Sequence, residues 1–137
     1  MKLKFEIENA DSLELLLDEA AIRNAMGRAL AVVERSAKQK APKGSGELRR
    51  SITSRIDKEG DELVGTVFTP LEYAPYVEYG TGLFAEGGNG RKDVPWHYQD
   101  DKGEWHTTSG QHPQPYMRPA LQESREEVLR ILKEALK

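Results

Sequence analysis

Between Asp11 and Lys40 the chain contains no proline and a single glycine, Gly27, and is dense in Ala, Leu, Glu and Arg. These residues lose little freedom on entering a helix. Asp11 or Ser12 can cap its first turn with a side-chain oxygen. The stretch therefore predicts a long helix reaching about Lys40, with room for one break. Within it Ile22, Met26, Ala29, Val33 and Ala37 recur at spacings of four, three, four and four. That pattern draws one apolar stripe down the helix and leaves Arg23, Arg28, Glu34 and Lys38 outside it. The stripe reads as core rather than as a cofactor contact, and it must be covered by other elements.

The covering elements are legible on either side. "LKFEIE" alternates Leu3, Phe5 and Ile7 with charged residues, the period of a short half-buried strand. "APKGSGELRRSI" (41–52) stops the helix, because Pro42 disfavours helical geometry at Ala41 and because Gly44 and Gly46 make continuation costly. A strand is expected from about Arg49 to Asp57. "KEGD" (58–61) has turn composition and leads into "ELVGTVFT", in which Val64, Thr66 and Phe68 face opposite to Leu63, Gly65 and Val67. An antiparallel hairpin follows.

At the other end, "QPYMRPALQESREEVLRILKEALK" reads as a helix with Pro119 in its first turn and a buried stripe of Leu121, Val128, Ile131, Leu132 and Ala135. Its acids Glu123, Glu126 and Glu127 precede its bases Arg130, Lys133 and Lys137, the order the helix dipole favours. The expected fold is α+β: a long N-terminal helix and a C-terminal helix packed on one face of a small antiparallel sheet, with a long loop insertion.

A chain of 137 residues is long enough for one modest core. Lys and Arg (20) nearly balance Asp and Glu (23), giving a formal charge of -3, so no global basic field attracts nucleic acid. The absence of cysteine excludes disulfides, thiol nucleophiles and Cys-type metal sites. No apolar run approaches the roughly 20 residues that span a bilayer, and "MKLKFEIENA" lacks the features of a secretory signal. The chain is expected to stay soluble where it is made.

Chemistry-bearing residues concentrate between the hairpin and the last helix. "YAPYVEYGTG" (73–82) holds three tyrosines, a proline and a Gly-Thr-Gly end, and Gly87, Gly88 and Gly90 follow. Their spacing matches neither a phosphate-binding loop nor a dinucleotide fingerprint. Tyr73, Tyr76, Tyr79, Trp96, Tyr98 and Trp105 have the rings to stack bases, yet Glu72, Glu78, Glu86, Asp93, Asp100 and Asp101 sit among them where a stacking groove needs cations. His97, His106 and His112 lie beside Asp100, Asp101 and Glu104 without the spacing of a zinc motif. Ser45, Ser51 and Ser109 occur without a nucleophile elbow. Pro75 and the surrounding rings are expected to pack a short turn or helix, with Gly80 in a positive-φ reversal. From Gly80 to Pro115 a long loop is expected, relieved by one small hairpin of "VPWHYQ" and "EWHTTS" around "DDKG". Exposed aromatic loops of this kind are common contact surfaces.

Three segments in order, "APKGSGELRRSI" (41–52), "YAPYVEYGTG" (73–82) and "QPYMRPAL" (114–121), resemble the neck and tail-completion proteins of long-tailed bacteriophages. That group comprises the head-tail component family of phage HK97 and relatives of the minor tail protein Z of lambda. Tyr116 departs from the phenylalanine more usual there. The resemblance implies one domain, 1–137, with a variable insertion at about 81–114. It also implies a structural virion protein acting in tail completion and head-tail joining, through contacts with other neck and tail proteins and as a homo-oligomeric ring. Its place would be the virion tail or neck, reached from the host cytoplasm during assembly, with no membrane and no sequence-specific nucleic acid as partner. No enzymatic activity, cofactor, metal or catalytic residue is implied. The candidate interface residues are Tyr76, Tyr79, Gly80, Gly82, Phe84, Trp96, Tyr98 and Trp105, with the first 20 residues as a second contact region. The alternatives are a metal-dependent hydrolase using His97, His106 and His112, or a nucleic-acid-binding module.

Overall fold

The computed structural model describes residues 2–7, 19–44, 46–60, 62–88, 90–100 and 102–135, the first of these segments as backbone only. The expected helix cap at Asp11 or Ser12, and most of the contact region expected before residue 20, lie outside the described residues. In chain order the elements are β1 (Lys2–Ile7), α1 (Glu19–Lys40), α2 (Glu47–Ser51), β2 (Thr53–Glu59), β3 (Glu62–Phe68), α3 (Ala74–Tyr79), β4 (Trp96–Gln99), β5 (Trp105–Thr108) and α4 (Met117–Ala135). Contacts divide the chain into two units, Met1–Leu71 with Tyr116–Lys137, and Glu72–Pro115.

In the first unit the sheet order is β1-β3-β2, antiparallel throughout, with Leu3 opposite Val67 and Ile56 opposite Gly65. The central strand β3 is hydrogen-bonded along both edges. Its Leu63, Gly65 and Val67 face the helices, and α1 comes so close that a Cβ on Gly65 would lie 3.1 Å from Leu30 Cδ2 and 3.3 Å from Met26 Cε. Val64 and Thr66 point the other way, as the alternation predicts, yet they are also buried. Arg55 stands opposite Thr66 on that side, with its guanidinium 5.0 Å from the Phe68 ring centroid and its Nε 3.0 Å from Asp57 Oδ2.

The two long helices pack on each other more extensively than any other pair of elements, with α1 also lying on β2 and β3 and α4 on β1. They run antiparallel: Lys40, at the end of α1, is ion-paired to Glu123 near the start of α4, while Leu132 near the end of α4 packs on the cluster of Ile22, Met26 and Leu63. Every residue of the stripe expected on α1 is buried, and Ala25 and Leu30 join it. On α4 the buried set is Met117, Ala120, Ser124, Val128 and Ile131, so the expected stripe is rotated, with Leu121, Leu132 and Ala135 only half-buried. Two of the buried positions on α4 are the small Ala120 and Ser124, which a search for large apolar residues passes over.

The strand expected from about Arg49 begins later. Glu47–Ser51 form the one-turn helix α2, with Arg50 N–H bonded to Gly46 O at 3.0 Å, and β2 starts at Thr53. Five residues are too few to show a helical period, and Leu48 and Ile52, both buried, mimic strand alternation with their neighbours. The Ser51 hydroxyl fixes the junction, lying 2.6 Å from Leu48 O and 2.7 Å from Thr69 Oγ1.

In the second unit α3 opens with Pro75 in its first turn and closes with a bond from Gly80 N–H to Tyr76 O at 2.9 Å. The ends of the expected loop are stitched together. Thr81 N–H donates to Gln111 O at 2.9 Å, Leu83 N–H to Ser109 O at 3.0 Å and Gln114 N–H to Val77 O at 2.8 Å. Between these ends lie two short 3-10 turns, Gly82–Phe84 and Glu86–Gly88, and then the antiparallel hairpin of β4 and β5 anticipated around "DDKG". Gly80 has φ +82°, and a Cβ there would meet Gln111 O, Phe84 O and Pro113 Cδ, each at 2.9 Å. Gly80→Val is therefore expected to destabilise the second unit by about 1–3 kcal/mol from backbone strain, with the steric clash adding to it. An unchanged thermal midpoint and unchanged amide exchange in residues 72–115 would contradict that reading.

Candidate protein interface

Tyr73, Tyr76 and Tyr79 repeat every third residue, which places their rings along one side of the short helix α3, while Ala74 and Glu78, four apart, occupy the other. Ala74 and Glu78 are fully buried, and the three rings are 40%, 60% and 40% exposed. The expectation that these rings pack the turn is corrected: the helix is anchored by its alanine and glutamate side and offers its tyrosines outward. A six-residue element has too few turns for an apolar count to tell the buried side from the exposed one.

Beside them runs a groove of about 520 Å³, lined by Pro75, Tyr76 and Tyr79, by the reversal Gly80–Gly82, and by Ala85, Glu86, Gly90, Arg91 and Trp96. The Arg91 guanidinium sits 5.0 Å from the Trp96 ring centroid, and its Nε donates to the Asp93 carbonyl at 3.1 Å. An aromatic wall flanked by one cation, Arg91, and one acid, Glu86, suits an apolar or aromatic guest.

The hairpin register separates its side chains into two faces. Trp96 pairs with Thr108 and Tyr98 with His106 on one face; His97 pairs with Thr107 and Gln99 with Trp105 on the other. Contacts agree: the Tyr98 and His106 rings stack with centroids 5.2 Å apart, and His97 Nδ1 lies 2.8 Å from Thr107 Oγ1. Trp105 is 70% exposed.

Of the residues expected at an interface, the structure brings Tyr76, Tyr79, Gly80, Gly82 and Trp96 to the groove. It places Phe84 against His112, with ring centroids 3.9 Å apart, Tyr98 on His106, and Trp105 on the far face of the hairpin. Ala85 and Arg91 line the groove without having been singled out, and Pro75, expected only to pack the turn, lines it too. Only the joining of the loop ends shows that Arg91 belongs beside α3, and no local pattern encodes that.

The three histidines do not converge. His97 and His106 lie on opposite faces of the hairpin, and His112 is held on Phe84. Asp100, Glu104 and His106 do bring ligand atoms within 4.8 Å of one another. Their bonds explain the gathering: Asp100 Oδ1 accepts from the Lys102 and Glu104 N–H groups at 2.9 Å each, and Asp100 Oδ2 accepts from His106 Nε2 at 2.7 Å. The carboxylate is the hub of the hairpin turn, and a metal would have to displace these bonds.

His106 foremost, then the backbone N–H of Glu104 and of Lys102, holds the Asp100 carboxyl below its usual 3.8. A depressed carboxyl pKa means that the folded hairpin binds the proton more weakly than the open one. Its contribution is therefore present above about pH 4 and is lost as pH falls through the folded value. His106→Ala is expected to move the Asp100 midpoint upward in an NMR titration; an unmoved midpoint would contradict the assignment of the turn to this pair.

On the first unit, Arg35, Lys38 and Arg49 surround a shallow depression with Ala31, Glu34 and Gln39, and among the described residues Arg49 Nε is buried with no hydrogen-bond partner. No helix among the described residues is long and apolar enough to cross a membrane.

Comparison with known proteins adds one positive finding. The family model of bacteriophage HK97 gp10-like tail components matches residues 7–80, just over half of the chain. The match takes in "APKGSGELRRSI" and the tyrosine stretch up to Gly80, and it ends before "QPYMRPAL". No curated protein sequence and no solved structure matches the chain. A helix-and-sheet body whose long helix, hairpin and tyrosine helix all fall inside that match belongs to the HK97 gp10-like family of bacteriophage tail components.

Proposed function

We propose that this tail component is a structural part of the virion that completes the tail and joins it to the head, as a ring of identical subunits held by protein-protein contacts. The observation that carries this reading is the aromatic surface of residues 72–115, where Tyr76, Tyr79 and Trp96 line an open groove and Trp105 stands free of it. Large rings held exposed on a short helix and a hairpin are what a docking surface requires, because they bury much area at little conformational cost when a partner arrives. Phe84 and Tyr98, each about two-fifths exposed, extend that surface. The work asked of the protein is binding and positioning, without a catalytic centre, cofactor or metal.

A second reading, contact with nucleic acid, draws on Arg35, Lys38 and Arg49 in the first unit. Phosphate contacts by these three cations would make DNA affinity fall steeply with salt. A flat salt dependence removes that reading.

The test of the leading reading is genetic. Removal of the gene from the phage or inducible prophage that carries it is expected to leave full heads beside unjoined or abnormal tails in negative-stain micrographs, with joining restored when the protein is added back. Normal infectious particles would contradict it.

A further inference from the structure

Trp96, which lines the groove, and the exposed Trp105 belong to one hairpin and project from its opposite faces. Trp96 opens β4 and lines the groove; Trp105 opens β5 at the far end of the ladder, opposite Gln99. A four-residue ladder sets Trp96 and Trp105 roughly 10 Å apart along the strands, and the two-residue alternation turns their side chains away from each other. Trp105 therefore cannot fill the groove of its own chain.

We propose that Trp105 of one copy docks in the groove of the next, the occupant of the groove being a second copy of this chain. The inference rests on the reading that the protein assembles with itself, and it specifies the contact. The groove, at about 520 Å³, has room for an indole, and its lining of Tyr76, Tyr79 and Trp96 gives that ring aromatic neighbours. Of the two charged residues lining the groove, Arg91 offers a partner for the exposed Glu104 that precedes the tryptophan, while Glu86 lies on the groove as well.

The opposite-face placement also sets the symmetry. In a two-fold dimer each copy would have to present the tryptophan and the groove toward the same partner. Features on opposite faces of one hairpin serve two different partners, so the contact is head-to-tail and each copy binds one neighbour with each face. Such a contact closes into a ring when its rotation permits and otherwise grows as a filament.

Trp105→Ala removes the anchor and keeps the groove, whereas Ala85→Trp fills the groove and keeps the anchor. Should Ala85→Trp lose its native thermal transition, Tyr76→Ala, at a 60% exposed position, removes a groove wall instead. In sedimentation experiments the natural protein is expected to associate beyond the dimer as concentration rises, and each variant alone to associate about thirtyfold more weakly, as for loss of a buried tryptophan anchor. The equimolar mixture of Trp105→Ala and Ala85→Trp is expected to form one-to-one dimers and stop there, because one anchor and one groove remain between them. Association of either variant at the natural strength, a mixture that stays monomeric, or natural protein that does not associate would each overturn the contact. Oligomers that survive both substitutions would leave the proposed ring standing and move its interface elsewhere. Absence of the joining defect on gene removal would fail the tail-completion reading itself, independently of this experiment.

Discussion

The antiparallel packing of α1 on α4 is the contact on which the first unit rests, and small side chains are buried on both helices. Ala25, Ala29 and Ala37 on one helix, and Ala120 and Ser124 on the other, are all buried. Gly65 then lets α1 settle onto β3, with Leu30 and Met26 filling the space a Cβ would crowd. Each fully buried Ile, Leu or Met side chain contributes about 1.5–3 kcal/mol. The Lys40–Glu123 pair, whose carboxylate side chain is 63% exposed, contributes at most about 1 kcal/mol. Apolar packing holds the helices, and the ion pair helps fix their register.

What the sequence made legible follows from how local each signal is. The α1 stripe was readable because 22 residues allow the helical period to repeat many times. The hairpin of β2 and β3 and that of β4 and β5 were readable because alternation and turn residues lie side by side. The misplaced start of β2 and the rotated face of α4 have a different origin. Glu47–Ser51 form a helix too short for periodicity, and Ser124 is buried although polar, which a scan for apolar residues cannot see. The candidate site divides in the same way: its aromatic residues stood out one by one, whereas the joining of Arg91 and Ala85 to α3 depends on backbone bonds between residues 81 and 111.

Those bonds give the second unit its character. Residues 72–115 direct their hydrogen bonds into stitching two distant stretches of chain and into the Asp100-centred turn, and leave large rings outside. A segment built this way needs little apolar core of its own, and its exposed rings gain most from burial against another surface. The first unit supplies a helix-and-sheet body, and the second carries the exposed rings.

We propose that the aromatic surface of residues 72–115 becomes covered when the protein enters the virion. Hydroxyl-radical footprinting of the free protein and of intact particles measures this residue by residue. The account predicts strong protection of Tyr76, Tyr79, Trp96 and Trp105 in the particle, with Tyr116, already buried, unchanged. Equal labelling of the four rings in both states would contradict it.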